Sequence, residues 1–131
     1  MMKDCGNKGE RNTGKNKTVL KVENFRLCFN GRFGAVHAVR DANLEVRRGE
    51  IVTLVGESGC GKTALCRAIL MLHSAHARYL SGRILLDGRD VRTCSEREME
   101  QIRGKAASLV FQNPLSSLNP VYRIREQLEE P

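Results

Sequence analysis

A glycine-rich stretch in the first half of the chain limits the possible folds more than any other feature. It fits the phosphate-loop pattern G-x-x-x-x-G-K-[ST] at every fixed position. An apolar, β-branched run at 51–55 precedes it, and apolar residues at helical spacing follow it over 62–72. Strand, loop and helix in this order are what phosphate binding at a helix start requires. The stretch is Gly56-Glu57-Ser58-Gly59-Cys60-Gly61-Lys62-Thr63.

The residue types in this loop suit the phosphates of a nucleotide. Its three glycines let the backbone turn with no Cβ in the way, so that loop N–H groups and the helix N-terminus can face an anion. Lys62 can reach the β- and γ-phosphates, and the hydroxyl of Thr63 can ligate Mg²⁺. Cys60 lies at the predicted helix start beside Lys62, a position that is typical of a reactive thiol.

Composition sets the broad class and weakens several alternatives. The chain has 131 residues, of which 40% are apolar and 28% charged, so it is predicted to be one globular domain at 18–131. We interpret the polar, basic residues 1–17 as a flexible tail. The net charge of the chain is +7, which would suit nucleic acid. Binding of single strands also needs aromatic side chains among the basic ones, and the two Tyr and four Phe of this chain do not interleave with a basic stretch, so we expect no nucleic-acid partner.

Cysteine spacing and hydropathy exclude further classes. The five Cys include no C-x-x-C pair, so neither a disulfide framework nor a zinc site is indicated. His73 and His76 lie three residues apart with no neighbouring Cys or carboxylate, which is a weak metal signal, and we interpret His73–Leu80 as a surface connection. No apolar run is long enough for a transmembrane helix.

Turn and capping signals divide the rest of the chain into elements. Two runs with partly alternating apolar residues on either side of Asn30–Gly34 predict a β-hairpin. The later segments predict further strands and helices, and the fold class is therefore α/β with an N-terminal antiparallel β portion. The predicted elements are strands at 19–29, 36–46, 82–86 and 106–111, a helix opened by the capping box Ser95–Glu98, and a helix over 121–128.

A second stretch, Val110–Pro120 (VFQNPLSSLNP), resembles the Q-loop of ABC transporter ATPases, in the form found in oligopeptide, dipeptide and nickel importers. Residues 38–44, shortly before Gly49-Glu50, and residues 82–88 agree with this family. The similarity runs from about Val19 to the end of the chain. It implies the phosphate-loop NTPase fold of ABC ATPases, in incomplete form.

The resemblance implies roles for particular residues. The eight-residue loop would be the Walker A motif and would bind ATP, with Thr63 on Mg²⁺. Gln112 would be the Q-loop glutamine, which contacts Mg²⁺ and the attacking water and couples to the membrane subunit. An aromatic ring stacks on adenine in this family; Phe29 is the first choice, because it ends the first predicted strand, and Phe33 is the alternative.

The resemblance also implies partners and a place in the cell. We expect integral membrane permease subunits, a second ATP-binding subunit, a peripheral position on the cytoplasmic face of the inner membrane, and a peptide or nickel-type solute. The family's signature motif, Walker B strand, catalytic Glu and switch His are expected beyond Pro131, so we expect these residues alone to bind ATP without hydrolysing it. The alternative is a stand-alone nucleotide-binding or regulatory module that docks on a permease.

Overall fold

An antiparallel sheet and a few short helices form the described part of the chain. The structure is a computed structural model, and it describes residues 17–31, 34–73, 75–113 and 118–129. A 3-10 turn at Val91–Thr93 separates the last strand from the second helix. In chain order the strands and helices are β1 (Thr18–Gly31), β2 (Gly34–Arg47), α1 (Lys62–Ile69), β3 (Ala77–Leu86), β4 (Arg89–Asp90), α2 (Glu96–Ile102) and α3 (Ile124–Glu129).

The predicted β-hairpin is confirmed. Strands β1 and β2 pair antiparallel from Thr18 opposite Arg47 to Gly31 opposite Gly34, while residues 32–33 of the predicted turn lie outside the described part. Strand β1 also pairs antiparallel with β3, which pairs with β4, so that the strand order is β2-β1-β3-β4. The long hairpin therefore supplies half of the sheet on which the helices pack.

The core lies between this sheet and the apolar faces of α1 and α2. Leu65 and Ala68 of α1, which the helical spacing places on one face, are both buried. These buried side chains fix α1 on the sheet, and the loop that precedes α1 is held in place with the helix. The buried cluster consists of Val22, Phe25, Leu27, Val39, Leu65, Ala68, Ile84, Val91 and Met99.

Helix α1 starts where the sequence predicts but ends at Ile69 instead of Leu72. Met71 adopts a left-handed backbone with φ 55°, and its N–H donates to the carbonyl of Ala68. The N–H of Leu72 donates to the carbonyl of Arg67, which completes a Schellman ending. Glycine is the usual residue at the left-handed position, so a methionine there gives no stop signal in the sequence.

Two of the predicted strands do not form. Residues 51–55 and 106–111 form no ladder with any described segment, apart from one isolated bridge between Arg103 and Ala107. Their side chains are correspondingly open: Ile51 is 94% exposed, Val55 89% and Val110 84%. The apolar sequence favours a strand, but a strand exists only where its N–H and C=O groups meet a neighbouring strand. Within the described residues neither segment has one.

Both helices that the sequence predicts after β4 are present. Ser95 Oγ accepts a hydrogen bond from the N–H of Glu98, and Glu98 Oε2 accepts one from the N–H of Ser95 at 2.8 Å, so the predicted capping box is present at the start of α2. The hydrogen bond from the Ser95 backbone lowers the pKa of Glu98. The last predicted helix forms as α3, but it begins at Ile124 and leaves Val121 outside.

The interpretation of His73–Leu80 as a surface connection is wrong. Strand β3 begins at Ala77, which pairs with Phe29, so much of the segment belongs to the sheet. His73 is half-buried, with its ring centroid 5.4 Å from that of Phe29 and 6.0 Å from that of Tyr79. Its Nε2 lies 2.9 Å from the carbonyl oxygen of Ala64. His73 is therefore a packing residue beneath α1, whereas His76 is exposed.

This burial predicts a pH effect on stability. Burial lowers the pKa of His73 from its ordinary value of 6.5, with a smaller contribution from Arg67, against the raising effect of the Ala64 carbonyl. The unfolded chain thus binds the proton more readily, and the stabilising effect of neutral His73 is present above 6.5 and lost as pH falls through the lowered pKa. Lowering the pH from about 7.5 to about 5.5 should reduce Tm more in the wild type than in His73→Gln.

The control for this prediction is His76→Gln, which changes an exposed imidazole on the same segment. Its pH dependence of Tm should match the wild type. A His73→Gln variant with the same pH dependence as the wild type would show that the folded state does not hold His73 neutral.

Candidate functional site

The glycine-rich loop leads directly into the first helix, as the motif predicts. Gly61 is the N-cap residue of α1, with a left-handed φ of 95°, and the helix begins at Lys62. Residues 56–60 of the loop are exposed. The structure therefore presents Gly56–Thr63 as an open loop around the N-terminus of a packed helix.

The ammonium group of Lys62 lies inside this loop. Its Nζ donates hydrogen bonds to the carbonyl oxygens of Gly56 at 2.7 Å and Glu57 at 2.6 Å, and it lies 3.4 Å from Cys60 Sγ. All three contacts are to atoms of the loop itself. The charge is thereby held at the centre of the loop, where the pattern G-x-x-x-x-G-K-[ST] requires it for contact with phosphates.

The loop and the helix start also carry backbone donors. The start of α1 has no side-chain cap among the described residues, so the first N–H groups of the helix stay available. In the described part of the chain the only hydrogen bond from a loop N–H is that of Cys60 to the carbonyl of Glu57, at 3.3 Å. Unpaired N–H groups at a helix N-terminus, next to an ammonium group, form a ready site for an anion.

Gly61 is also where the loop meets the hairpin. A Cβ at this position would overlap the carbonyl oxygen of Ala38 in β2 and come within 3.8 Å of a Val39 methyl group. The absence of a side chain therefore allows the loop to lie directly against the β2 backbone. This contact sets the position of the loop relative to the sheet.

Two cavities open on either side of Lys62. The first, of about 470 Å³, lies between the loop and β2, and its lining includes His37, Arg40 and Gly59. The second, of about 690 Å³, lies between α1 and residues 109–113. Among the described residues that line these cavities there is no Asp or Glu but there are Lys and Arg, so both cavities favour negatively charged ligands.

The second cavity brings together two of the predicted site residues. Thr63 from α1 and Gln112 from the segment after 106–111 both line it, together with Lys62. Among the described residues no three or more His, Cys, Asp and Glu side chains cluster in the manner of metal ligands. Thr63 and Gln112 offer a hydroxyl and an amide oxygen at this cavity, and Mg²⁺ prefers oxygen ligands.

Phe29, the first choice for stacking on adenine, lies apart from the two cavities beside Lys62. Phe29 lies in β1, partly buried against the core, and its ring contacts His73 edge to face. It lines neither cavity beside Lys62. Phe33 lies outside the described residues. The choice between the two rings therefore stays a prediction.

Three basic residues that were not predicted as site residues also line the cavities. His37 and Arg40 of β2 face the first cavity, and Arg67 of α1 faces the second. Arg67 follows Thr63 by four residues and so shares its helix face, a spacing that the sequence does show. The proximity of His37 and Arg40 to the loop depends on how β2 packs beside it, and no local signal reports that.

Comparison with known proteins finds similar sequences over most of the chain. A family model described as ABC transporter matches residues 39–130. The oligopeptide transport ATP-binding proteins OppD of Bacillus subtilis and of Escherichia coli are 37% and 38% identical to 86% of this chain, and the dipeptide transport ATP-binding protein DppD of Lactococcus lactis subsp. cremoris is 35% identical to 86% of it. These matches cover 32–33% of each relative, so the chain spans about a third of their length.

Solved structures agree in fold. The dimeric structure of MJ0796, a bacterial ABC transporter cassette, superposes with a TM-score of 0.56 at 23% identity, over 63% of this chain and 34% of that one. A post-hydrolysis state of the same cassette, bound to ADP and Pi, gives a TM-score of 0.55 over the same shares. Within the described residues, no helix is both long and apolar enough to cross a membrane. The expected fold, an incomplete ABC ATPase cassette, is confirmed.

Proposed function

The chain belongs to the ABC transporter family, and from that premise we propose that it binds Mg²⁺-ATP through Gly56–Thr63 as part of the ATP-binding subunit of a peptide importer. The observation that carries this proposal is the position of the Lys62 ammonium group, 2.7 Å and 2.6 Å from two carbonyls inside the loop. Phosphate oxygens would take this group and the free N–H groups of the helix start as their donors.

The second cavity supports the proposed metal contacts. Thr63 and Gln112 line it together, so the hydroxyl of Thr63 and the amide oxygen of Gln112 would hold a Mg²⁺ ion bound with the nucleotide. When bound, the ion supplies positive charge that offsets the charge of the β- and γ-phosphates. In this chain Lys62 fixes the phosphates, Thr63 and Gln112 orient the ion, and Phe29 or Phe33 would stack on adenine.

The solute and the partners are inferred from the relatives. Those compared are named as oligopeptide and dipeptide transport ATP-binding proteins, which favours a peptide over a nickel-type solute for this chain. By the same inference it would act peripherally on the cytoplasmic face of the membrane, with integral permease subunits and a second ATP-binding subunit. The alternative of a separate nucleotide-binding module on a permease would use the same loop.

Cysteine alkylation tests where the nucleotide binds. Cys60 is exposed within the loop, whereas Cys66 and Cys94 are partly buried and Cys28 is buried. Among the described cysteines we therefore expect Cys60 to be alkylated first. We expect Mg²⁺-ATP to slow its alkylation by about tenfold or more, because bound phosphates would occupy the loop around Lys62. Mass mapping of the alkylated chain after short exposures measures each rate separately.

Cys94 supplies the internal control, since it lies near the start of α2 and away from both cavities beside Lys62. Its rate should be the same with and without Mg²⁺-ATP. Alkylation of Cys60 that saturating Mg²⁺-ATP leaves unchanged would contradict nucleotide binding in this loop. Slowing of Cys94 to the same degree would indicate a general tightening of the fold instead.

A further inference from the structure

A cation–π contact joins the first helix to the segment that carries Gln112. The guanidinium carbon of Arg67 lies 5.5 Å from the ring centroid of Phe111, within the range of such an interaction. Both side chains line the second cavity, and Phe111 is 40% exposed. The contact lies at the edge of the proposed Mg²⁺-ATP site rather than in the core.

The place of this contact in the sequence gives it a geometric consequence. Arg67 follows Thr63 by four residues, so it lies one helical turn away on the same face of α1. Phe111 immediately precedes Gln112. Holding the Phe111 ring over Arg67 therefore keeps Gln112 on the face of α1 from which Thr63 projects.

The residues just before Gln112 lie outside the regular elements of the fold. Residues 108–112 belong to no strand or helix. Among described residues, no side-chain hydrogen bond or ion pair holds Val110, Phe111 or Gln112. Val110 is 84% exposed, so packing does not anchor it either. Asn113, on the other side of Gln112, has an interaction of its own. On the near side, the Arg67–Phe111 contact ties the residue before Gln112 to α1.

We propose that Arg67 is a positioning residue, which acts through Phe111 to hold Gln112 beside Thr63 for a shared Mg²⁺ ion. This inference rests on the proposed binding of Mg²⁺-ATP, and it names Arg67 as a residue on which the Mg²⁺ dependence of ATP binding depends. Arg67 would act on the ion through Phe111 and Gln112 and not as its ligand. Its loss should therefore weaken ATP binding more with Mg²⁺ than without it, so that the advantage that Mg²⁺ gives to ATP binding falls.

The test is the ratio of ATP affinities with Mg²⁺ and with EDTA, measured on the full chain with a fluorescent ATP analogue. In Arg67→Ala and in Phe111→Leu the ratio should fall about two- to fivefold, the scale of an exposed cation–π contact. The double variant should lose no more than either single variant, because both remove one interaction. Arg67→Lys and Phe111→Tyr keep a cation and a ring, and they should retain most of the wild-type ratio.

Two further variants separate this role from a merely structural one. Arg97→Ala removes the same charge from an exposed position on α2 and should leave the ratio unchanged. Gln112→Ala should lower the ratio, and adding Arg67→Ala to it should have no further effect. An unchanged ratio in Arg67→Ala, or an equal loss with and without Mg²⁺, overturns the positioning role.

A failure of the proposed Mg²⁺-ATP binding gives a different result from a failure of the inference about Arg67. If the wild type binds ATP under neither condition, the proposed function fails and the inference with it. If the wild type binds Mg²⁺-ATP in a manner that requires Lys62, but Arg67→Ala keeps the full Mg²⁺ advantage, only the inference about Arg67 fails.

Discussion

Replacing Lys62 with alanine should weaken ATP binding by about tenfold or more. The substitution removes the ammonium group that the loop holds 2.7 Å and 2.6 Å from the carbonyls of Gly56 and Glu57. A charge-assisted contact of this kind contributes roughly 1.5–3 kcal/mol to binding. The dissociation constant of a fluorescent ATP analogue, compared between the wild type and Lys62→Ala, measures the effect.

Lys105→Ala is the matched control for this substitution. Lys105 is exposed beyond the end of α2 and lines neither cavity beside the loop, so its loss changes the net charge equally. ATP affinity should stay within about twofold of the wild type, because an exposed charge distant from the ligand is screened by salt. Equal affinities of the wild type and Lys62→Ala would contradict phosphate binding by this loop.

Replacing Gly61 with alanine should destabilise the fold more than any other single-methyl addition in the loop. The residue has φ 95°, and a left-handed backbone costs a non-glycine residue about 1–2 kcal/mol. The new Cβ would also overlap the carbonyl oxygen of Ala38, and overpacking of this kind typically adds about 1–3 kcal/mol. The free energy of unfolding, measured with urea, should fall by the sum of the two.

Gly59→Ala isolates the backbone contribution. Gly59 has a similar φ of 82°, but a Cβ there would meet no atom within 4 Å. The loss of unfolding free energy should therefore be only the about 1–2 kcal/mol of the left-handed backbone. Equal losses in Gly59→Ala and Gly61→Ala would show that the loop does not lie against β2 as the structure has it.

Features fixed by neighbouring residues were predictable from the sequence. The motif spacing located the loop and the start of α1 at Lys62, since glycines, lysine and the apolar helix face are all local signals. The hairpin followed from two alternating runs around a turn, and the Ser95–Glu98 capping box located α2. In each of these cases the residues that determine the structure are close together in the chain.

Features that depend on distant contacts were not predictable. The runs 51–55 and 106–111 have strand-type sequences, yet pairing partners decide whether a strand exists. No described segment forms a ladder with either run, and the one bridge, between Arg103 and Ala107, is isolated. The early end of α1 comes from a left-handed Met71, which no propensity indicates. His73 is a half-buried packing residue, because β3 begins at Ala77 and places the ring of Tyr79 beside its imidazole.

In the candidate site, too, single residues were predictable from local motifs, but contacts between distant segments were not. The eight loop residues and Gln112 could be proposed individually from their motifs, but only the fold shows that Thr63 and Gln112 line one cavity. The contact between Arg67 and Phe111 likewise joins two distant segments. Phe29 ends a predicted strand as the family aromatic does, but its ring turns toward His73, a direction that sequence position cannot report.

Titration of the purified chain with Mg²⁺-ATP and, separately, with AMP tests nucleotide binding through Gly56–Thr63 most directly. Lys62 and the N-terminus of α1 are placed to hold β- and γ-phosphates, which AMP lacks. We expect saturable binding of Mg²⁺-ATP at one site per chain, with AMP at least about tenfold weaker. Equal affinity for the two nucleotides, or no saturable binding of Mg²⁺-ATP, would contradict the function proposed for this loop.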